Sequence, residues 1–128
     1  MLNDEEIKTR EPIWLALSEL WLDTELTERD LNHIASVMAG SKYSLGQLRD
    51  IYLYEVAPVL YTNLLNVAGE WAGFDEAWLF RRIKEEVRRS SPARRFLHRL
   101  KKPLMTYATE RHWRALAEKV GEQRARAA

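Results

Sequence analysis

The sequence contains no cysteine, only five glycines and four prolines, and no long uncharged run. Without cysteine it has no disulfide framework, no thiolate metal site and no cysteine nucleophile, and it suits a reducing compartment. The longest stretch without a charge, residues 56–69, has 14 residues, whereas a membrane-spanning helix needs about 20 apolar residues. The first residues also lack the basic and apolar runs of a signal peptide. We therefore expect a cytoplasmic protein with no membrane partner.

Charge is abundant, and its two signs are separated along the chain. The 128 residues carry 20 Lys and Arg against 19 Asp and Glu, a formal net charge of +1. Residues 1–75 hold 5 basic and 13 acidic side chains, or −8, whereas residues 76–128 hold 15 and 6, or +9. The chain is 46% hydrophobic, and its length is sufficient for one domain with a real core. The nearly neutral total therefore hides two opposed halves of one domain.

Capping residues predict a succession of helices. Thr27 and Ser44 are each followed three residues later by an acid or amide, Asp30 and Gln47, which is the pattern of a capping box. Asp75 is a third predicted cap. No hairpin turn or sustained period-two alternation predicts a strand. The sequence thus predicts an all-α single-domain bundle of about six or seven helices, among them residues 13–22, 28–39, 45–56, 59–67 and 76–89.

Prolines are expected to mark helix ends, because proline lacks a backbone donor. Pro12 predicts the first turn of the helix over residues 13–22, whose apolar side chains surround most of its circumference and predict a central position. Pro58 and Pro103 predict a break, bend or restart, whereas Pro92 suits the first position of a helix.

The domain is expected to have three parts within residues 1–128. Residues 10–89 form its core, and residues 90–120 form basic C-terminal helices. Residues 121–128 have no apolar side chains to bury, so we expect a frayed tail.

Two motifs resemble a family of small uncharacterised bacterial proteins. The first is REPIWLALS at residues 10–18 with LDTEL at residues 22–26, and the second is EVAPVL at residues 55–60 with GEWAGF at residues 69–74. The resemblance covers about residues 10–89, and the segment after Arg89 departs from it. It implies a small helical protein and supplies no catalytic residue. By size, helical class and charge, the chain is also similar to immunity proteins encoded beside the contact-delivered toxins of bacterial growth inhibition.

The acidic half predicts a surface for a basic partner. Such a field attracts a basic domain and pairs with its Lys and Arg, as a protein that blocks a nuclease cleft must do. Among the aromatic residues, Tyr54 and Trp71 are the candidate surface anchors, whereas Tyr52 and Trp78 are expected in the core. The alternative for any single acid is a solvated surface or a helix start. The predicted partner-binding residues are Glu19, Asp23, Glu25, Asp50, Tyr54, Glu55, Glu70 and Trp71.

The basic half has two interpretations. The Arg and Lys of residues 81–102 are typical of a phosphate-binding surface. Part of this charge is expected to pair within one helix, Arg81 with Glu85 and Arg82 with Glu86, and the basic helices are expected to pack beside the acidic ones. We favour this self-complementation and keep a nucleic-acid-associated protein, using residues 81–102, as the alternative function.

Motifs for catalysis and metal binding are missing from the sequence. His33, His98 and His112 have no metal-ligand spacing, and no phosphate-binding glycine loop or serine elbow occurs. We expect no enzyme, no cofactor and no metal, and a catalyst that uses acids near Trp71 is the least favoured class. The expected function is that of a cytoplasmic immunity-type protein, which binds a basic, nuclease-like toxin domain and occludes its active site.

Overall fold

The computed structural model describes residues 2–22, 26–65 and 76–127 of the chain. All regular secondary structure in these residues is helical, which confirms the predicted all-α bundle. A π-helical turn, Tyr52–Val56, joins α3 to α4 without interruption. The helices are α1 (Asp4–Leu22), α2 (Glu28–Ala39), α3 (Leu45–Ile51), α4 (Ala57–Leu65), α5 (Glu76–Arg88), α6 (Pro92–Thr106) and α7 (Glu110–Ala127).

Local capping determines several helix starts, as the sequence predicts. The hydroxyl of Thr27 accepts a hydrogen bond from the Asp30 amide at 3.1 Å, and the Asp30 carboxylate accepts one from the Thr27 amide at 2.9 Å. Ser44 forms the same reciprocal pair with its partner three residues on, at 3.1 and 2.8 Å. Ser91 caps α6, with Pro92 at the first helical position. The predicted cap at Asp75 lies outside the described residues.

Two helices, α1 and α6, have a proline in their interior, and the helix start predicted at Pro12 is wrong. Helix α1 begins at Asp4 rather than at Pro12, because Asn3 caps it by accepting a hydrogen bond from the Glu6 amide at 2.8 Å. Acids fill the first turn of α1, where negative charge stabilises a helix. Helix α6 continues past Pro103 to Thr106, so it does not restart at that proline. Each proline costs its helix one backbone hydrogen bond, and both helices continue through it.

The break predicted at Pro58 takes the form of a wider turn. The Ala57 amide donates to the Tyr52 carbonyl, five residues earlier, instead of four as in an α-helix. Proline at position 58 has no amide to donate, so the regular bonding pattern has to change near this point. The chain responds with one π-helical turn and then continues as α4.

Helix α1 lies at the centre of the bundle, as its apolar circumference predicts. It contacts α2, the π-helical turn, α4 and α5. Its large side chains Ile13, Trp14, Leu17 and Trp21 are almost completely buried. The other elements are therefore arranged around this one helix.

An aromatic stack joins α1, the π-helical turn and α7. The ring of Tyr52 lies 5.4 Å from that of Trp21 and 4.8 Å from that of Trp113, between ring centres. The Tyr52 hydroxyl is 2.7 Å from the hydroxyl of Thr109. Burial raises the pKa of Tyr52 to about 12, so this phenol stays protonated in the core.

The C-terminal segment is helical where a frayed tail was expected. Helix α7 packs along α2 and continues to Ala127. Arg124 donates to the backbone carbonyls of Met38 at 3.1 Å and Tyr43 at 2.6 Å, and it also reaches those of Ala39 and Ser41. A cation at the C-terminal end of α2 binds carbonyls there and interacts favourably with the helix dipole. The C-terminal segment, residues 121–127, is therefore held to the bundle by polar contacts of Arg124 rather than by buried apolar side chains.

Two substitutions separate burial from capping. Leu17→Ala is expected to lower the free energy of unfolding by about 2–5 kcal/mol, because it opens a cavity in the central helix. Thr27→Ala is expected to cost about 1 kcal/mol through the lost cap. Urea unfolding followed by circular dichroism measures both values, and equal small losses would contradict the central position of α1.

Candidate partner-binding surface

Helix α6 presents an exposed row of large apolar side chains, which we call the α6 stripe. Four lie on the helix, and the fifth, Tyr107, directly follows it. Elsewhere among the described residues, the only large apolar side chain with a comparable exposure is Leu45, at 38%. The exposed fractions in the stripe are 50% for Phe96, 45% for Leu97, 67% for Leu100, 57% for Leu104 and 88% for Tyr107.

The spacing of the stripe places all five side chains on one side of the helix. At 100° per residue they fall within about 100° of its circumference. On the same helical projection Arg99 lies beyond the edge at Phe96, and Lys101 lies beyond the edge at Leu97. Helix α6 contains no Asp or Glu. The stripe is therefore an apolar band with basic borders.

The opposite side of α6 is held to the bundle by polar groups. Arg94 donates two hydrogen bonds to the carboxylate of Glu86 on α5, at 2.7 and 2.9 Å. The ring of His98 is largely buried, and its Nε2 lies 3.4 Å from the same carboxylate. We call Glu86, Arg94 and His98 the anchor cluster. Because these groups face the bundle, the apolar side of the helix has to face outward.

Two further contacts hold α6 in the same orientation. The guanidinium of Arg95 lies 3.9 Å from the centre of the Tyr54 ring, which is a close cation–π contact. The indole Nε1 of Trp21 donates to the carbonyl of Met105 at 3.2 Å. Helix α6 thereby joins the π-helical turn and the central helix by its inward side.

The environment of the anchor cluster fixes its charges. Burial alone would raise the pKa of Glu86, but the hydrogen bonds and the charge of Arg94 lower it below the usual value. Burial lowers the pKa of His98, aided by the positive charges of Arg94 and Lys101 and opposed by Glu86. The cluster therefore consists of a charged Arg–carboxylate pair beside a neutral imidazole.

The predicted pair of Arg82 with Glu86 is wrong, since Arg82 binds Glu85 at 3.1 Å instead.

Four of the predicted partner-binding residues lie in the described part of the chain. Glu19 and Asp50 are exposed, and Tyr54 is half-buried beneath Arg95. Glu55 is directed into the bundle. The other four, Asp23, Glu25, Glu70 and Trp71, lie outside the described residues.

Glu55 lies on the π-helical turn and binds inside the bundle. Its carboxylate forms an ion pair with Arg10 and accepts a hydrogen bond from Trp14 Nε1 at 2.8 Å. Burial raises the pKa of Glu55, although Arg10 and the Trp14 hydrogen bond oppose this. The expectation that Glu55 faces a partner assumed an exposed side chain. Its position assigns it instead to the joint between α1 and the π-helical turn.

Ion pairs connect the acidic and basic halves of the chain. Lys84 on α5 lies 3.6 Å from Glu11 on α1, and Lys119 on α7 pairs with Glu28 on α2. These contacts agree with the self-complementation that the opposed charges predict. Several cations on α5 and α6 are nevertheless exposed, namely Arg81, Arg82, Arg88, Arg99 and Lys101.

Neither metal ligands nor a membrane-spanning helix is found in the part of the chain that the structure describes. No three side chains of His, Asp or Glu come together there in a way that could hold a metal ion. None of the described helices combines the length and the apolar content required to cross a membrane. The α6 stripe is the most distinctive surface feature of those residues. The sequence does not predict that the stripe faces outward, because its spacing is the same as that of a helix face buried in a core.

Glu86→Gln tests the anchor cluster. At pH 7 we expect a loss of about 1–3 kcal/mol of stability, because the charged partner of Arg94 is removed. A carboxyl whose pKa is lowered in the folded state stabilises the folded chain at pH values above its ordinary pKa of 4.5. This contribution is lost as the pH falls through the lower pKa of the folded state. The difference between the parent and Glu86→Gln should therefore shrink in acid, as measured by urea unfolding at several pH values.

The matched control for this test is Glu85→Gln on the same helix. Glu85 pairs with Arg82 nearer the surface, and such pairs contribute about 0–1 kcal/mol. A Glu86→Gln difference that stayed constant from neutral to acid pH would contradict the assigned charges.

Comparison with known proteins gives one match. A family model described as a domain of unknown function, DUF7079, matches residues 8–119. No curated protein and no solved structure matches the chain. The matched range confirms the expectation of a small uncharacterised family, and it extends past Arg89, so the segment expected to depart from the family is included in it. With most of its central helix and the whole of its anchor cluster and α6 stripe inside that range, the chain belongs to the DUF7079 family.

Proposed function

We propose that this chain is a small binding protein of the immunity type, which neutralises a toxin domain by covering its active site. It acts by binding rather than by catalysis. The observation that carries the proposal is the α6 stripe, where five large apolar side chains are exposed on one side of a single helix. Contiguous exposed apolar surface on a small protein marks sites of interaction.

The stripe has the properties of a contact surface that is organised before binding. Its helix is fixed from behind by the Glu86–Arg94 hydrogen bonds and by the contact of Arg95 with Tyr54. A rigid surface loses little conformational entropy on binding, so more of its contact energy appears as affinity. Large aromatic and aliphatic side chains at the centre of an interface supply most of that energy.

The acids of the N-terminal half have a separate role in this proposal. The exposed Asp50 and Glu19, with Asp23, Glu25 and Glu70, attract the basic cleft of a nuclease-like toxin and accelerate association. Glu55 is removed from the contact set, because Arg10 and Trp14 already bind its carboxylate. The stripe supplies the buried apolar area, and the acids set the rate of encounter.

Exposed cations favour a second candidate function, that of a nucleic-acid-associated protein. Arg88, Arg99 and Lys101 are exposed on α5 and α6, and phosphate contacts depend on such side chains. The leucines between these cations offer nothing to a phosphate, however. We therefore place this function second.

The test is co-expression of the chain with the C-terminal fragment of the adjacent gene product, followed by purification and a growth-protection assay. Leu100→Ala with Leu104→Ala is expected to weaken the complex at least about tenfold, since a hot-spot truncation costs more than about 1.4 kcal/mol. Protection of the cells should fall with it. Asp23→Asn, Glu25→Gln and Asp50→Asn together should slow association and flatten its salt dependence.

Leu45→Ala is the matched control, because Leu45 is another exposed leucine on a different helix. It should leave both affinity and protection unchanged. A different result would favour the second candidate function. In that case the chain forms no complex with the adjacent gene product and binds single-stranded RNA in a salt-dependent manner, and the double variant Arg99→Gln with Lys101→Gln loses the RNA binding.

A further inference from the structure

We infer that the partner segment seated on the α6 stripe is an acidic amphipathic helix. This inference rests on the protein-binding part of the proposed function and does not depend on the identity of the toxin. The inference describes only the segment of the partner that covers α6. That segment is a different part of the partner from the basic cleft, which the acids of the N-terminal half attract.

The shape of the stripe fits a helix. Phe96 and Tyr107 are eleven positions apart, so the stripe runs for about 16 Å, or three helical turns. It is narrow, and its side chains from Phe96 to Leu104 include the series i, i+4 and i+8. A partner helix with apolar residues at i, i+3 or i+4, and i+7 matches such a surface along its whole length.

The charges around the stripe determine the sign of the partner. Arg99 and Lys101 are exposed and border the apolar band on either side, and α6 has no acid to neutralise them. The side chain of Arg94, by contrast, is already bound to Glu86. A helix that covers the band therefore needs Asp or Glu at its flanks, since like charges placed there would oppose association.

The same charges argue against a second copy of this chain. In a symmetric dimer the stripe of one copy meets the stripe of the other. Arg99 and Lys101 of both copies would then line the two edges of the interface with no acid of α6 to separate them. Self-association through this surface is disfavoured by that repulsion.

The exposure of the stripe argues against a lipid surface. Phe96 and Leu97 expose only about half of their surface, and the remainder packs against the chain itself. An interfacial helix buries its apolar side about 5–10 Å into the boundary between headgroups and acyl chains. Because α6 is fixed to the bundle by the anchor cluster, it forms a shallow contact surface instead of a protruding wedge.

Two synthetic helical peptides test the inference directly. Both carry leucines at positions i, i+4, i+7 and i+11, and they differ only in flanking residues, Glu in one and Lys in the other. We expect the Glu peptide to bind the full chain at least about tenfold more tightly, which corresponds to about 1.4 kcal/mol. Fluorescence anisotropy with a labelled peptide measures the affinities, and added salt should weaken the Glu peptide selectively.

Four variants assign the binding to the stripe and its borders. Leu100→Ala with Leu104→Ala should reduce affinity for the Glu peptide at least about tenfold, whereas Leu45→Ala should not. Arg99→Gln with Lys101→Gln should remove the preference for Glu over Lys, whereas Arg126→Gln, an exposed cation at the end of α7, should preserve it. All of these side chains are exposed, so thermal unfolding is expected to show intact folds.

Several outcomes would overturn the inference. Equal affinity of the chain for the two peptides would overturn it. A dimer of the parent chain in sedimentation, absent in the Leu100→Ala with Leu104→Ala variant, would also overturn it. Binding to vesicles containing phosphatidylserine, lost in the leucine variant, would assign the stripe to a lipid surface. If the chain protects cells from the toxin but binds the two peptides equally, only this inference is contradicted. If the chain prefers the Glu peptide but forms no complex with the toxin, only the immunity role is contradicted.

Discussion

The Tyr52 ring lies between the indoles of Trp21 and Trp113, and its hydroxyl meets that of Thr109 in the core. Helices from both ends of the chain therefore meet at one side chain of the π-helical turn. Trp21 extends the connection, because its indole nitrogen binds the Met105 carbonyl of α6. The position of α6 thus depends on the aromatic stack as well as on its own ion pair. Loss of Tyr52 would therefore disturb three elements together.

The sequence predicts those parts of the fold that depend on neighbours within a few residues. The capping boxes at Thr27 and Ser44 form because each needs only a side chain three positions away. The burial of Leu31, Ile34 and Met38 on α2 also follows from their spacing. The part of helix α1 before Pro12 is not predicted, because the cap at Asn3 and the acids of the first turn begin the helix upstream of that proline.

The direction of α6 is not contained in its own pattern. Its apolar residues have the same periodicity as those of α2, yet they face outward. The deciding groups, Glu86 and Tyr54, lie on other elements, and the sequence offers no means to pair them with Arg94 and Arg95 before the fold is known. For the same reason the sequence predicts an exposed position for Glu55. An ion pair between Arg10 and Glu55 joins residues that are 45 positions apart.

Glu55 and Glu86 show how the surroundings of a carboxyl decide its chemistry. Both lie against arginine, but burial prevails at Glu55 and raises its pKa, whereas the paired hydrogen bonds of Arg94 prevail at Glu86 and lower its pKa. The pKa of one carboxyl is therefore held above its usual value and that of the other below it, although each lies against an arginine. Composition alone counts them as two equal negative charges.

The π-helical turn has a consequence for comparing members of this family. The turn closes over five residues, from the Tyr52 carbonyl to the Ala57 amide, and so contains one residue more than an α-helical turn. One extra residue rotates everything that follows by about 100° about the helix axis. Consider a relative that has a regular α-helix in place of the π-helical turn. Its α4 would turn the same face toward α1 only if its chain were one residue shorter in this turn. A single-residue gap between Ile51 and Ala57 in an alignment would therefore mark a change of helix type with the core preserved.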